Sequence, residues 1–412
     1  MTGYTPLTQI KVGLDFTGNI IPVGRLAIRE RKIYFEYDTS FIKSGLELSP
    51  LRLPLKTGVQ SFDPFLFEGL PGLFNDSLPD GWGRLLFDRS LRAKGITPEE
   101  ISPLDRLAHV GMTGMGALVY EPEIEEEADK SAIDLDQLAS SAQEVLDGEA
   151  PEVLQTLLSL NGSSGGARPK AIIGVDKERK KIIHGKNTSQ AGYGPWIVKF
   201  PNSSDGLDSG AIEYVYALMA KDAGLIMSDV HLFPAKRGSG YFATKRFDRD
   251  DNNRVHVHSV CGLLHSDFRT PSLDYEDLIA LTSSITKDMR EIEKMFRQAV
   301  FNVLGHNRDD HSKNFSFTMD MAGAWTLSPA YDLTFSSGPR GEQSTMVMGE
   351  GKNPTETHLI KLGLDAKIDP KKITQIIEQT KHALSQWKTL AKNYGVGRDN
   401  IALIESRISG KA

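Results

Sequence analysis

Residues 305–315 read GHNRDDHSKNF. Acids, amides and bases crowd together here, a composition that ordinarily marks a solvated loop. Yet apolar segments flank it, MFRQAVFNVL at 295–304 and FSFTM at 315–319. Within it, Asp309 and Asn314 stand five residues apart. That Asp-x-x-x-x-Asn spacing is the one a kinase catalytic loop uses. An alcohol nucleophile needs a carboxylate beside its proton, and a metal bridging ATP phosphates needs an oxygen ligand close by. A loop with both residues on its inner side supplies both. A dense polar cluster between buried elements then makes sense as the mouth of a cleft.

Working outward, NFSFTMD and AWTLS (324–328) read as a hairpin with MAG at the turn. PAYDLTF (329–335) follows, with Asp332 after an apolar stretch. Loop, short hairpin and second aspartate is the order found in kinases, where that second aspartate binds metal. Upstream, Lys199 lies on the apolar strand PWIVKF (195–200), where an unpaired ammonium is costly. It needs anions, and ATP phosphates plus a helix carboxylate would serve. Glu213, 14 residues on in the helix SGAIEYVYALMAKDAG (209–224), is the candidate. NGSSGGARPK (161–170) precedes the hairpin AIIGVD–KKIIHG, where a phosphate-covering loop belongs. Gly165 and Gly166 tolerate the dihedrals that would point their N–H groups at phosphates. No G-x-x-x-x-G-K-[ST] occurs, so this is not a Walker A loop.

At 412 residues the chain exceeds one ordinary core, and 39% hydrophobic with 25% charged residues fits a soluble globular protein. A net charge of −6 gives no general attraction to nucleic acid or anionic membrane. The single cysteine, Cys261, excludes an intrachain disulfide and points to a reducing cytoplasm. The N-terminal stretch does not read as a signal peptide, and no apolar run approaches the ~18 residues needed to span a bilayer.

The first part is β-rich: strands at 9–16, 22–29 and 32–38, and GALVYEPE at 116–123. Between them DGWGRLLFDRSLRAKG (80–95) reads as a helix with Asp80 as its cap and Gly95 as its stop. The acidic run EPEIEEEADK (121–130) marks a boundary, and helices follow near 134–147 and 151–160. GYFATKRFD (240–248) is a further strand. Helical spacing recurs at 274–286, 288–305, 355–363, 370–394 and 398–408. The expected architecture is α+β, a two-lobed protein-kinase-like fold. It comprises a small β-rich domain (1–125), an N-lobe with the phosphate loop and lysine strand (126–250) and a helical C-lobe with the catalytic loop (251–412).

These residues resemble the HipA family of bacterial serine/threonine kinases, toxins of type II toxin–antitoxin systems. NRDDHSKNF (307–315) is similar to the family's Asn-x-Asp-x-His-x-Lys-Asn-Phe signature, and GGARPK, WIVKF, KRFD and YDL fall in the expected order. LFEGLPGLFNDSLPDGWGR (66–84) resembles part of the family's N-terminal domain. The resemblance implies ATP and Mg²⁺ as cofactors, Asp309 as catalytic base, and Asn314 and Asp332 as Mg²⁺ ligands. It implies that Gly165, Gly166, Ala167, Arg168 and Lys170 cover the nucleotide, that Lys199 contacts its phosphates, and that His311, Lys313 and Asn314 lie beside it. Lys245, Arg246 and Phe247 would form the hinge at adenine. Ser163, or its neighbour Ser164, aligns with a serine whose autophosphorylation ejects the loop and silences the kinase. Arg168-Pro169 departs from some better-known members. Implied partners are a protein substrate, in some members an aminoacyl-tRNA synthetase, and a HipB-like antitoxin through which DNA is contacted; no membrane is involved.

Rival readings are a small-molecule phosphotransferase with a similar Asp-to-Asn spacing, a pseudokinase that binds an antitoxin or DNA without catalysis, and a metal phosphoesterase built on Asp309, Asp310 and His311. The last leaves Lys199 and the glycine-rich loop unexplained. His256, His258, Cys261 and His265 are metal-capable types, but their spacing matches no standard zinc pattern, and a structural role is expected. The Asp309-Asp310 doublet offers two bases, and the spacing to Asn314 selects Asp309.

Overall fold

The computed structural model describes residues 4–123, 132–148, 153–161, 165–185, 192–202, 205–250, 253–270 and 272–408. Ser163 and Ser164, and most of the acidic run after Pro122, lie outside the described residues.

Period-two alternation builds the first sheet. β1 (Gln9–Asp15) buries Ile10, Val12 and Leu14, and β3 (Lys32–Tyr37) buries Ile33, Phe35 and Tyr37. With β2 (Ile20–Arg29), β4 (Gln60–Ser61) and β5 (Leu118–Glu121) they form an antiparallel sheet ordered β4-β3-β2-β1-β5. Helices α1 (Thr39–Ser44), α2 (Gly72–Asn75), α3 (Gly81–Ala93) and α4 (Pro103–Val110) accompany it. Phe41 of α1, Phe74 of α2 and Leu107 of α4 complete this core.

Helix α3 does not join it. Trp82, Leu86, Phe87 and Leu91 bury instead among α5 (Leu135–Leu146), α6 (Leu154–Ser159) and a second sheet. Each large apolar side chain so buried contributes about 1.5–3 kcal/mol. In packing, therefore, residues 81–101 belong with the chain that follows the expected boundary near 125. The second sheet contains β6 (Lys170–Asp176), β7 (Ile182–His184), β8 (Tyr193–Lys199), β9 (Val230–Phe233) and β10 (Tyr241–Lys245). Its strands are antiparallel in the order β7-β6-β8-β10-β9.

A short ribbon, β11 (Arg249–Asp250) with β12 (Asn253–Arg254), leads into a three-stranded sheet of β13 (His256–Ser259), β14 (Ser316–Met319) and β15 (Trp325–Leu327). The expected hairpin across 320–324 is the β14–β15 pair. The remainder is helical: α7 (Ser209–Asp222), α8 (Val260–Leu264), α9 (Tyr275–Thr286), α10 (Met289–Leu304), α11 (Glu356–Asp365), α12 (Pro370–Ser385), α13 (Trp387–Asn393) and α14 (Arg398–Ile408). Phe296 and Val300 of α10 bury against Leu359 of α11 and Ile373 and Ile376 of α12. Tyr216 of α7 buries with Trp387 of α13 and Ile401 of α14. Asp288 caps α10 through the Arg290 N–H at 2.8 Å, and Gly305 ends it, so the loop at 306–311 leaves a rigid rod.

The single helix expected over 370–394 is two. The Gln386 N–H bonds three residues back, to the Ala383 carbonyl at 3.2 Å, which tightens that turn. Trp387 then packs inward, and its indole donates to the Ile401 carbonyl at 3.1 Å. Among the described residues no helix is long and apolar enough to cross a membrane.

Candidate active site

Strands β6 and β8 place Lys170 and Lys199 opposite one another in register. Two ammonium groups on one sheet face make a strongly cationic spot that anions must offset. Lys199 Nζ donates to Glu213 Oε1 on α7 at 2.5 Å and to Asp332 Oδ1, which follows β15. Burial alone would depress the Lys199 ammonium, but Asp332 and Glu213 raise it well above the usual lysine range. Burial and the nearby Lys199 bring Lys170 down to about 8, and its Nζ donates to the Gly165 carbonyl. Arg168 adds a third cation, 3.0 Å from Asp205 and 3.5 Å from Glu213. Burial works against the Asp332 carboxylate, yet Lys199, Lys170 and Arg168 hold it far below the usual range. Asp332 adopts φ 57, a left-handed backbone that costs a non-glycine residue of order 1 kcal/mol or more and that clusters at functional sites. Its side chain keeps 40% of its surface exposed.

The loop after α10 sorts the aspartate doublet. Asp309 is exposed, whereas Asp310 is fully buried. The Asp310 carboxylate accepts from the Tyr275 hydroxyl at 2.6 Å, Gln343 Nε2 at 2.9 Å and the Thr345 N–H at 3.1 Å. Burial lifts it to about 7 against these donors. It fastens the loop to the 343–345 segment. Although Asp309 is exposed, partial desolvation raises its carboxyl, His311 opposes, Asp332 adds and Arg168 opposes. Asn314 Nδ2 donates to the Asp309 carbonyl at 2.6 Å, so the atom it can offer a cation is its oxygen. The His311 ring lies 5.2 Å from Phe268, and its Nδ1 has no hydrogen-bond partner among the described residues. Lys313 stacks over the same Phe268 ring at 4.7 Å and donates to Asp80.

The structure therefore joins Lys199, Glu213, Arg168 and Asp332 by ion pairs, with Lys170 opposite Lys199 on the sheet; Asp309 is near enough for its carboxyl to feel Asp332 and Arg168, and Asn314 holds its carbonyl. Other expected residues are placed differently. Gly166, at φ +102, does not aim its N–H at an open cleft; it donates to Asp80 Oδ1 at 2.5 Å. Gly165 and Ala167 are exposed. Asp80 makes no side-chain cap on α3, because its carboxylate is turned to this loop. At the hinge, the Lys245 N–H bonds the Asp229 carbonyl at 2.8 Å and the Phe247 ring stacks on Tyr331 at 5.8 Å. The Arg246 guanidinium turns away to Asp248 and the Gly114 carbonyl, and its N–H bonds the Pro195 carbonyl at 2.9 Å, so its donors are spent on the protein rather than on a ligand at the expected hinge. Asp80, Asp205 and Asp310's fastening role were not read from the sequence. The glycines around Asp80, in PDGWG, were the available signal, since paired glycines mark close backbone approach.

The histidine group lies elsewhere and is hydrogen-bonded to the first domain, although His256 Nδ1 has no partner among the described residues. His258 bonds Asp76 at 2.7 Å and Ser49 at 3.0 Å, His256 bonds the Leu48 carbonyl at 3.1 Å, and His265 accepts from the Gly72 N–H at 2.9 Å. These partners belong to the first domain, so the histidines pin it to the lobe below. Burial, with His258 beside it, takes His256 down to about 3. Among the described residues no three His, Cys, Asp or Glu side chains gather as a metal site.

Comparison with known proteins agrees with this architecture. Residues 15–121 match the HipA N-terminal domain, and residues 162–387 match the HipA-like C-terminal domain. "Putative kinase Y4mE" of Sinorhizobium fredii is 24% identical over 363 residues, covering 81% of this chain and 83% of that protein. "Putative kinase Y4dM" of the same organism is 29% identical over 155 residues, 34% of this chain and 37% of that protein. The HipA chain of a Shewanella oneidensis HipA–HipB–operator DNA complex superposes with a TM-score of 0.68 at 15% identity, over 97% of this chain and 95% of its own. That likeness establishes the shared fold, with a β-rich N-terminal part and a helical C-terminal part. With the C-terminal match alone spanning more than half of its residues, the chain belongs to the HipA family.

Proposed function

We propose that the chain is an ATP- and Mg²⁺-dependent protein kinase of HipA toxin type that phosphorylates a serine or threonine hydroxyl. The observation that carries this reading is the bracketing of Lys199 by Glu213 and Asp332, which come from 14 and 133 residues away in sequence. An ammonium held between two carboxylates is fixed in place and would offset phosphate charge brought beside it. Lys170 and Arg168 would add to that field. Asp309 would accept the hydroxyl proton as the hydroxyl oxygen attacks the γ-phosphorus and ADP departs. A raised carboxyl suits this role, since a stronger base takes the hydroxyl proton more readily. Asn314 and Asp332 present the hard oxygen donors that Mg²⁺ prefers, with water and phosphate oxygens completing its shell; bound there it would supply charge neutralisation. The remainder of the acceleration would come from positioning.

The named kinases among the relatives support this reading, as does the family signature around Asp309. Since the Shewanella chain is bound to HipB and operator DNA, we assign a HipB-like antitoxin as partner, with DNA reached through it. The net charge of −6 gives the chain no general attraction to DNA. An aminoacyl-tRNA synthetase is the substrate class to try first. Autophosphorylation of Ser163 or Ser164 would put about −1.5 to −2 charges into a loop already held by Asp80 and would turn the kinase off.

The test is transfer of labelled phosphate from ATP, with and without bacterial lysate, by wild type and Asp309→Asn. We expect label on protein, including residues 161–170 by mass spectrometry, and a loss of about 10²–10⁴-fold in the variant. Label appearing only in small metabolites would favour a small-molecule phosphotransferase. Growth arrest that survives Asp309→Asn would favour a pseudokinase acting by binding.

A further inference from the structure

Asp80 stands where three distant parts of the chain meet. It precedes α3, its Oδ1 accepts from the Gly166 N–H at 2.5 Å, and its Oδ2 accepts from Lys313 Nζ. These contacts span 86 and 233 residues of sequence. The carboxylate is 13% exposed; burial opposes its charge, but Lys313 first, then Gly166 and Lys170, keep it below the usual range. Both ends of this bridge are in segments that the proposed kinase needs, the phosphate-covering loop and the catalytic loop.

The backbone around Asp80 is shaped for the same contact. The Trp82 N–H donates to the Gly166 carbonyl at 3.1 Å, and the Trp82 indole donates to the Lys170 carbonyl at 3.2 Å. Gly166 is thus gripped by both its N–H and its carbonyl. Gly81 lies at φ +41, and a Cβ there would meet the Gly166 carbonyl oxygen at 2.5 Å and Ala167 Cα at 2.8 Å. Only glycine permits so close an approach. At the other end, Lys313 adjoins Asn314, whose amide holds the Asp309 carbonyl. A change in Lys313 therefore reaches the proposed base within one hydrogen bond.

We propose that Asp80 is a positioning residue for phosphoryl transfer: it ties the phosphate-covering loop to the catalytic loop and sets the spacing between Gly166 and Lys313. The proposal rests on the kinase reading. A helix-cap role does not account for Asp80, since it makes no side-chain cap. A simple surface ion pair does not account for it either, since neither Gly166 nor Lys313 belongs to α3 and the carboxylate is mostly enclosed.

Two variants of the full chain test this. Asp80→Asn keeps the shape and an acceptor for Gly166 but loses the charge opposite Lys313; Asp80→Ala loses both. Two readouts are needed: amide hydrogen exchange over residues 165–170 without nucleotide, and steady-state kinetics in ATP. Exchange should quicken in the order wild type, Asn, Ala, by about 10-fold or more in Ala. KM for ATP should rise and kcat/KM fall by about 10-fold or more, because a displaced loop no longer presents the phosphates correctly. Exchange unchanged in Asp80→Ala overturns the tie. Faster exchange with unaltered kcat/KM overturns the positioning role. Absence of any phosphoryl transfer by wild type removes the kinase reading, while the exchange experiment still decides whether the tie exists. Asp80→Asn is isosteric, so its folding should be intact, and a thermal melt verifies this before either measurement.

Discussion

The cleft around Asp332 and the joint around Asp248 use the same groups, a carboxylate among cations, and connect them in opposite ways. Asp248 is wholly buried and accepts four hydrogen bonds: from Arg246 Nε at 2.9 Å and Nη2 at 2.7 Å, from Arg249 Nη1 at 2.5 Å and from the Gly116 N–H at 2.8 Å. Both arginines also reach the Gly114 carbonyl, at 3.0 and 2.7 Å. Burial would raise the Asp248 carboxyl, and the two arginines hold it far below the usual range. Wholly enclosed, this carboxylate fixes the first domain's 114–116 loop to the chain after β10. Among the described residues Asp332 has a single side-chain ion-pair partner, Lys199, and two-fifths of its side chain stays exposed. Saturation of the lone pairs, not the presence of charge, separates a fastener from a site. The doublet repeats the contrast on adjacent residues, with Asp310 saturated by three donors and Asp309 exposed.

Three measurements can break or sharpen that distinction. Asp332→Asn should reduce phosphoryl transfer by about 10²-fold or more, because the proposed kinase places this carboxylate at the reacting phosphate. Its melting temperature should change little, since Lys199 keeps Glu213. Asp248→Asn should do the reverse. Two buried guanidiniums lose their counter-charge, a loss of about 3–5 kcal/mol read by urea unfolding, while the molecules still folded transfer phosphate normally. If Asp332→Asn proves the more destabilising of the two, the distinction fails.

The smallest effect concerns pH. Asp310 titrates at about 7 when folded, above the roughly 4 of an unfolded aspartate. Between those values the folded state retains a proton that the unfolded state has released. The stability this group contributes is complete below about 4, declines as pH rises through the window and is gone above about 7. Urea midpoints measured across the window should fall more steeply for wild type than for Asp310→Asn, which cannot titrate. Equal slopes would show that the three donors keep Asp310 ionised throughout.

Local periodicity made much of the fold legible. The alternation in 9–16 and 32–38, the hairpin after Phe315 and the helix ending at Gly305 all followed from nearest-neighbour rules. Helix α4 did not register, although Ser102 and Asp105 form a reciprocal cap at 3.2 and 2.8 Å, because only eight residues follow it. Strand β13 was read for its metal-capable side chains, and its histidines prove to be buried fasteners.

The sequence by itself determined the order of the chemical groups: a lysine strand, a glutamate helix, the Asp309–Asn314 spacing and a later aspartate. Such order survives because each group is set by a short segment with its own turn or helical period. Only the tertiary structure decided which carboxylate stays open, where Arg246 points, which core receives α3 and what Asp80 holds. Those outcomes depend on partners as far as 233 residues away, and on how completely each buried charge is matched by donors that no local pattern can place.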